Sequence, residues 1–355
     1  MNFPTENLRI KEIKELIPPA QLQAELPITH EAAATVYQTR QAIQKILKGE
    51  DDRLIVIIGP CSIHDPKAAW EYAKRLQQLK SELKDSLLVI MRVYFEKPRS
   101  TVGWKGFIND PHLNDSFQIN EGLHLARKLL LDLASAGIPA ATEFLDLISP
   151  QYVADSISWG AIGARTIESQ VHRELASGLS CPVGFKNATN GSPDPAIAAI
   201  LSASKPHHFL SVTREGHSAI VSTTGNSDCH LILRGGKTPN YDKESIDSTA
   251  KKLAKAELAP QVMIDCSHGN SGKDPKQQIQ VAKNIASQIA AEDQRIIGAM
   301  LESHLISGRQ DIVPGQPLTY GQSITDSCMG WEESADLLHE LARSVERRRE
   351  AKNTK

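Results

Sequence analysis

The chain has 355 residues, 40% hydrophobic and 23% charged, which exceeds one ordinary small core yet falls within the range of a single α/β barrel. Forty Lys and Arg stand against 42 Asp and Glu, a net charge of −2, so no broad basic field exists to attract nucleic acid or an anionic membrane. The opening residues lack a basic start followed by an apolar core, and the longest apolar runs are too short to cross a bilayer, so a cytoplasmic location is expected. Five cysteines, an odd number with no Cys-x-x-Cys pair, argue against a disulfide framework or a structural zinc finger.

Residues 1–50 read as an N-terminal extension. A mixed stretch over 8–16 is broken at Pro18-Pro19, and apolar residues Val36, Ile43, Ile46 and Leu47 predict an amphipathic helix over 31–48 behind a Thr29 cap. Residues 51–350 read as the catalytic domain. Short apolar, β-branched runs recur there at 54–59, 87–95, 140–145, 160–165, 183–186, 208–212, 262–266 and 296–301, separated by helical stretches. Eight alternating β/α units are the repertoire of the (β/α)8 TIM barrel, with a doubly wound open sheet as the competing fold. After the sixth run, 219–221, the turn signal Gly225-Asn226 and 230–233 predict an inserted β-hairpin within about 213–234.

In a barrel the chemistry sits at the C-terminal ends of the strands, so the residues that follow each run carry the functional reading. The first run ends in Gly59-Pro60-Cys61-Ser62-Ile63-His64, and the second leads through Arg92 to Glu96-Lys97-Pro98-Arg99-Ser100. Glu143, Arg165 and Lys186 close the third, fourth and fifth, and Arg234 closes the hairpin. Asp265-Cys266-Ser267-His268 and Glu302-Ser303-His304 close the seventh and eighth. Taken singly, Cys61 is a small buried hydrophobe and His268 a hydrogen-bonded histidine. Taken together, Cys61, His268 and Glu302 fall on strands that adjoin when a barrel closes, and Asp326 can reach in from the next loop. A thiolate, an imidazole and two carboxylates suit one divalent ion of Mn, Fe, Co or Zn.

Arg92, Lys97, Arg99, Arg165, Lys186 and Arg234 form a second constellation. Six cations on one face repel one another unless anions neutralise them, and arginine forks match phosphate and carboxylate. A substrate with several negative charges is therefore expected. No phosphate loop, His-Glu-x-x-His, nucleophile elbow or dinucleotide fingerprint is present.

The segments Gly59-Pro60-Cys61-Ser62-Ile63-His64, Lys97-Pro98-Arg99-Ser100, Gly163-Ala164-Arg165-Thr166, Gly184-Phe185-Lys186-Asn187, Leu233-Arg234-Gly235-Gly236 and Asp265-Cys266-Ser267-His268 carry a resemblance that runs through nearly the whole chain. Together they resemble the class I 3-deoxy-D-arabino-heptulosonate 7-phosphate (DAHP) synthases of enteric bacteria, most nearly the phenylalanine-sensitive form. The resemblance implies condensation of phosphoenolpyruvate with erythrose 4-phosphate and water, the first step of aromatic amino-acid biosynthesis. It implies metal ligands Cys61, His268, Glu302 and Asp326. Phosphoenolpyruvate would be held by Arg92, Lys97, Ala164, Arg165, Lys186 and Arg234, and erythrose 4-phosphate by Lys97, Pro98, Arg99, Ser100 and Asp326. Lys97 would be the proton donor, and Glu143 a candidate to activate the water.

The same resemblance implies a pocket for an aromatic amino-acid inhibitor among Asn7, Asp146, Pro150, Gln151, Leu175, Leu179, Ser180, Phe209, Ser211 and Val221, closed by a neighbouring subunit of a homotetramer. Ser100 stands where the family usually has Thr. Asn7 stands where the phenylalanine-sensitive form has an acid, whereas Ser211 matches that form; phenylalanine is the expected effector and tyrosine the alternative. Two rivals remain, the related octulosonate-phosphate synthase, which usually shows Lys-Ala-Asn-Arg-Ser at this loop, and a non-catalytic amino-acid sensor.

Overall fold

A computed structural model of the chain describes residues 3–99, 101–313 and 315–353. Two helices, α1 (Pro19–Glu25) and α2 (His30–Leu47), precede the first strand, β1 (Leu54–Gly59). The chain continues through α3 (Pro66–Glu82), β2 (Leu87–Arg92), α4 (Ile119–Ser135), β3 (Ala140–Glu143), α5 (Pro150–Val153) and β4 (Trp159–Ile162). Then come α6 (Gln170–Gly178), β5 (Val183–Lys186), α7 (Asp194–Ala203), β6 (His208–Val212), β7 (Ser218–Ser222) and β8 (Cys229–Leu233). Last are α8 (Lys243–Lys255), β9 (Val262–Asp265), α9 (Pro275–Ala290), β10 (Ile296–Glu302) and α10 (Trp331–Asn353).

Eight parallel strands close in the order β1-β10-β9-β8-β5-β4-β3-β2, which is the expected (β/α)8 barrel. Every barrel strand is buried on both faces, as a sheet roofed by helices requires. The period of two along β1 divides its side chains. Ile55 and Ile57 point into the barrel with Tyr94, Trp159, Met263 and Met300, whereas Leu54, Val56 and Ile58 join the layer under the helices. Helix α2 forms where expected: the Thr29 hydroxyl accepts from the Ala32 N–H at 3.2 Å. Its Ile43 and Ile46 join the barrel's inner cluster, so the N-terminal extension seals one end of the barrel.

The inserted hairpin exists, but two apolar runs exchange roles. Residues His208–Val212, expected as the sixth barrel strand, instead pair antiparallel with Ser218–Ser222. Cys229–Leu233, expected as a hairpin arm, is the sixth barrel strand between β5 and β9. The hairpin thus covers 208–222 and precedes the sixth strand. Burial decides the matter: β6 alternates with exposed positions, whereas β8 is buried from His230 to Leu233. Gly225-Asn226 is not the hairpin turn. The Asn226 side chain donates to the carbonyls of Ala176, Leu179 and Cys181 and ties the connection to α6.

Candidate active site

The C-terminal ends of the strands bring most of the expected residues to one mouth. Cys61 follows β1, Glu302 ends β10, His268 lies three residues beyond Asp265 of β9, and Asp326 comes from the segment before α10. Ligand atoms of Cys61, Glu302 and Asp326 all lie within 4.8 Å of one another. His268 presents Nε2 at 3.8 Å from Glu302 Oε1. Its Nδ1 lies 2.9 Å from Asp265 Oδ2 and 2.7 Å from Ser267 Oγ. Since Ser267 Oγ donates to Asp265 Oδ1 at 2.5 Å, both neighbours of Nδ1 act as acceptors, so Nδ1 carries a proton and Nε2 faces the cluster, where it offers a lone pair once its own proton gives way to an ion. The donor set and this ring orientation fit a divalent transition metal.

The electrostatics keep the carboxylates ionised. Burial opposes the charge on Glu302, but His268, Arg92 and Lys97 outweigh it and hold the carboxyl below its ordinary range. Asp326 is likewise held low against burial, chiefly by its hydrogen bond from Lys273. Asp265, wholly buried, is held well below its usual value by Lys186 and His268, and Lys186 Nζ donates to its Oδ2 at 2.9 Å. The Cys61 thiol moves the other way: burial, then the charge of Glu302, pushes it up. A metal ion would reverse that by binding the thiolate.

Beside this cluster lies a cavity lined by Lys97, Pro98, Arg99, Glu143, Ala164, Arg165, Lys186, Arg234, His268 and Asp326. Lys97 joins the two parts, with Nζ 3.2 Å from Cys61 Sγ and 3.1 Å from the Cys61 carbonyl oxygen. Its acidic neighbours, Cys61 first and then Glu302, outweigh the burial of Lys97 and raise its hold on the proton. Arg92 is not among the cavity-lining residues. It lies fully buried beneath the mouth, donating to Glu302 Oε1 at 2.9 Å and packing its guanidinium 3.5 Å from the Tyr94 ring centre. Ser100 lies outside the described residues. Lys273, Thr189 and Thr325 also line the cavity and were not among the expected residues, although Thr325 directly precedes Asp326.

A second cavity lies between the hairpin and the helices beside β4 and β5. Pro150, Gln151, Leu175, Leu179, Ser180, Phe209, Ser211 and Val221 line it, together with Gln23, Arg40 and Arg214, which were not foreseen. Asn7 and Asp146 do not line it in the single chain. Asn7 is exposed with φ 57°, and Asp146 accepts from the N–H groups of Ile148 and Ser149 at 2.6 and 2.7 Å, bracing the start of α5.

Fold and site together define a barrel enzyme in which an acid, thiol and imidazole cluster adjoins a basic, anion-accepting cavity. The DAHP synthetase I family profile matches residues 25–339, and the chain belongs to that family. It is 62% identical over 349 residues to the Phe-sensitive phospho-2-dehydro-3-deoxyheptonate aldolase of Escherichia coli strain K12, covering 98% of this chain and 100% of that one. It is 52% identical over 347 residues to the tyrosine-inhibited enzyme of Schizosaccharomyces pombe, covering 96% of this chain and 93% of the other. The solved phospho-2-dehydro-3-deoxyheptonate aldolase of Francisella tularensis SCHU S4 superposes with a TM-score of 0.94 at 55% identity, over 96% of this chain and 99% of that one. Among the described residues, no helix is long and apolar enough to cross a membrane.

Proposed function

We propose that this mouth joins phosphoenolpyruvate to erythrose 4-phosphate with the residue roles that follow. The chain is a DAHP synthase: it condenses these two substrates with water, releases phosphate and answers to an aromatic amino acid. The observation that carries the residue assignment is Lys97, which bridges the candidate metal cluster and the anion cavity.

Cys61, His268, Glu302 and Asp326 would hold one divalent ion of Mn, Fe, Co or Zn. When bound, the ion supplies Lewis acidity toward the aldehyde oxygen. Arg165, Lys186, Arg234 and the Ala164 N–H grip phosphoenolpyruvate, whose carboxylate and phosphate neutralise their mutual repulsion. Lys97 and the buried Arg92 complete this grip, and Arg92 also donates to Glu302. Lys97, Pro98, Arg99, Ser100 and Asp326 take the sugar phosphate. Lys97 holds a proton at Nζ and gives it to the oxygen that becomes negative as the new carbon–carbon bond forms. Glu143, buried at the cavity wall, is the candidate to activate the water.

The second cavity is the effector site, with Asp146 at its edge and phenylalanine the effector, and in a homotetramer the neighbouring subunit's N-terminal segment, which carries Asn7, closes it. Residues 1–50 form the regulatory and oligomer-contact unit on this reading. A phosphate-release assay with both substrates, repeated with each aromatic amino acid, tests reaction and effector together. Release that needs both substrates and is suppressed chiefly by phenylalanine is expected; release with arabinose 5-phosphate in place of the four-carbon sugar would overturn the substrate assignment.

A further inference from the structure

Each acidic member of the candidate metal cluster has a cation within hydrogen-bonding reach. Lys97 Nζ lies 3.2 Å from Cys61 Sγ, Arg92 Nη2 donates to Glu302 Oε1 at 2.9 Å, and Lys273 Nζ donates to Asp326 Oδ1 at 3.0 Å. The first two cations belong to the substrate grip. Lys273 has no role so far.

Its place in the chain is specific. The Lys273 N–H donates to the His268 carbonyl oxygen at 2.9 Å, and both residues adopt left-handed backbone, with φ 65° and 56°. This closed loop therefore presents one candidate ligand, His268, and the clamp on another, Asp326. Asp326 itself comes from an irregular segment between β10 and α10, so no strand fixes its side chain. A carboxylate can give one oxygen to an ammonium and keep the other for an ion. A thiolate and two carboxylates together also outweigh the charge of a divalent ion, at a mouth where anionic substrates must dock.

We propose that Lys273 is a positioning residue for the metal ion: it clamps one oxygen of Asp326 so that the carboxylate faces Cys61 and Glu302, and its charge offsets the excess of anionic ligands. This rests on the metal reading given above. The metal-stripped full chain is titrated with Co2+, following the thiolate-to-cobalt absorption band and the cobalt retained after desalting. Lys273→Gln weakens cobalt binding about tenfold, as loss of a group that orients a ligand does, and Lys273→Arg, which keeps charge and donors, stays within about threefold of the parent. The side chain is 53% exposed, so the metal-free variants unfold at the parent's temperature; should Lys273→Gln fail to fold, Lys273→Met replaces it. A cobalt affinity for Lys273→Gln within about twofold of the parent overturns the proposal. Cys61→Ala separates the two readings: if it binds cobalt as tightly as the parent, the metal site itself is wrong, and if it alone loses cobalt, only the role of Lys273 is.

Discussion

Two neighbours in sequence, Glu96 and Lys97, both hold their protons more tightly than usual, for different reasons. Lys97 is kept charged by Cys61 and Glu302, which suits a group that releases its proton only when a stronger base forms beside it. Lys97→Ala should lower kcat by at least about 10²-fold, the effect of removing a general acid, with a smaller change in KM. A loss of less than about tenfold would remove it from that role. Glu96 is pushed up to about 8, by burial and then by the charge of Asp146. Asp146 already accepts two backbone N–H groups, so Glu96 is the member of the pair that takes the proton. Its folded value lies above the ordinary 4.5, so its contribution to stability is complete below about 4.5 and is lost as pH rises through about 8. Glu96→Gln cannot ionise. Its Tm relative to the parent should therefore rise between about pH 5 and pH 9, and parallel Tm profiles would refute the assignment.

At the scale of elements, caps and close approaches carry the predictions. Thr29→Ala removes the acceptor for the Ala32 N–H and should cost about 1 kcal/mol by denaturant unfolding, with kcat unchanged. Gly184 sits on β5 where an added Cβ would lie 2.4 Å from Trp159 Cζ2 and 2.5 Å from Ile232 Cδ1. Gly184→Ala therefore overpacks the barrel and should cost roughly 1–3 kcal/mol, measured as a lowered unfolding midpoint. The helix cap was legible in the sequence because a cap is local: Thr29 and the apolar spacing after it suffice. The roles of 208–212 and 230–233 were not, because both are short apolar runs of equal β character. What separates them is which one the closing barrel buries, a property of its neighbours β5 and β9.

On the proposed reading regulation belongs to the whole molecule, since the second cavity lies beside the hairpin and shares no lining residue with the mouth. Ser211 donates to the Leu147 carbonyl oxygen at 3.4 Å and lines that cavity together with Leu175. Ser211→Phe fills the space and should raise the phenylalanine concentration for half inhibition by about tenfold or more, equivalent to at least about 1.4 kcal/mol of lost binding, with uninhibited kcat retained. Equal inhibition of parent and variant would place the effector elsewhere.

The sequence by itself was enough for the barrel and for the residues at its strand ends. A β/α alternation has few other compact solutions, and a barrel puts whatever follows each strand at one mouth, so Cys61, Lys97, Arg165, Lys186, His268 and Glu302 could be collected without coordinates. Tertiary structure alone decided the sixth strand, the burial of Arg92 beneath the mouth, and the pairings that set the charges there. Lys186 meets Asp265 across 79 positions and Lys273 meets Asp326 across 53. Such contacts leave no periodicity in the chain, because they exist only after the barrel has closed and brought distant loops within hydrogen-bonding reach.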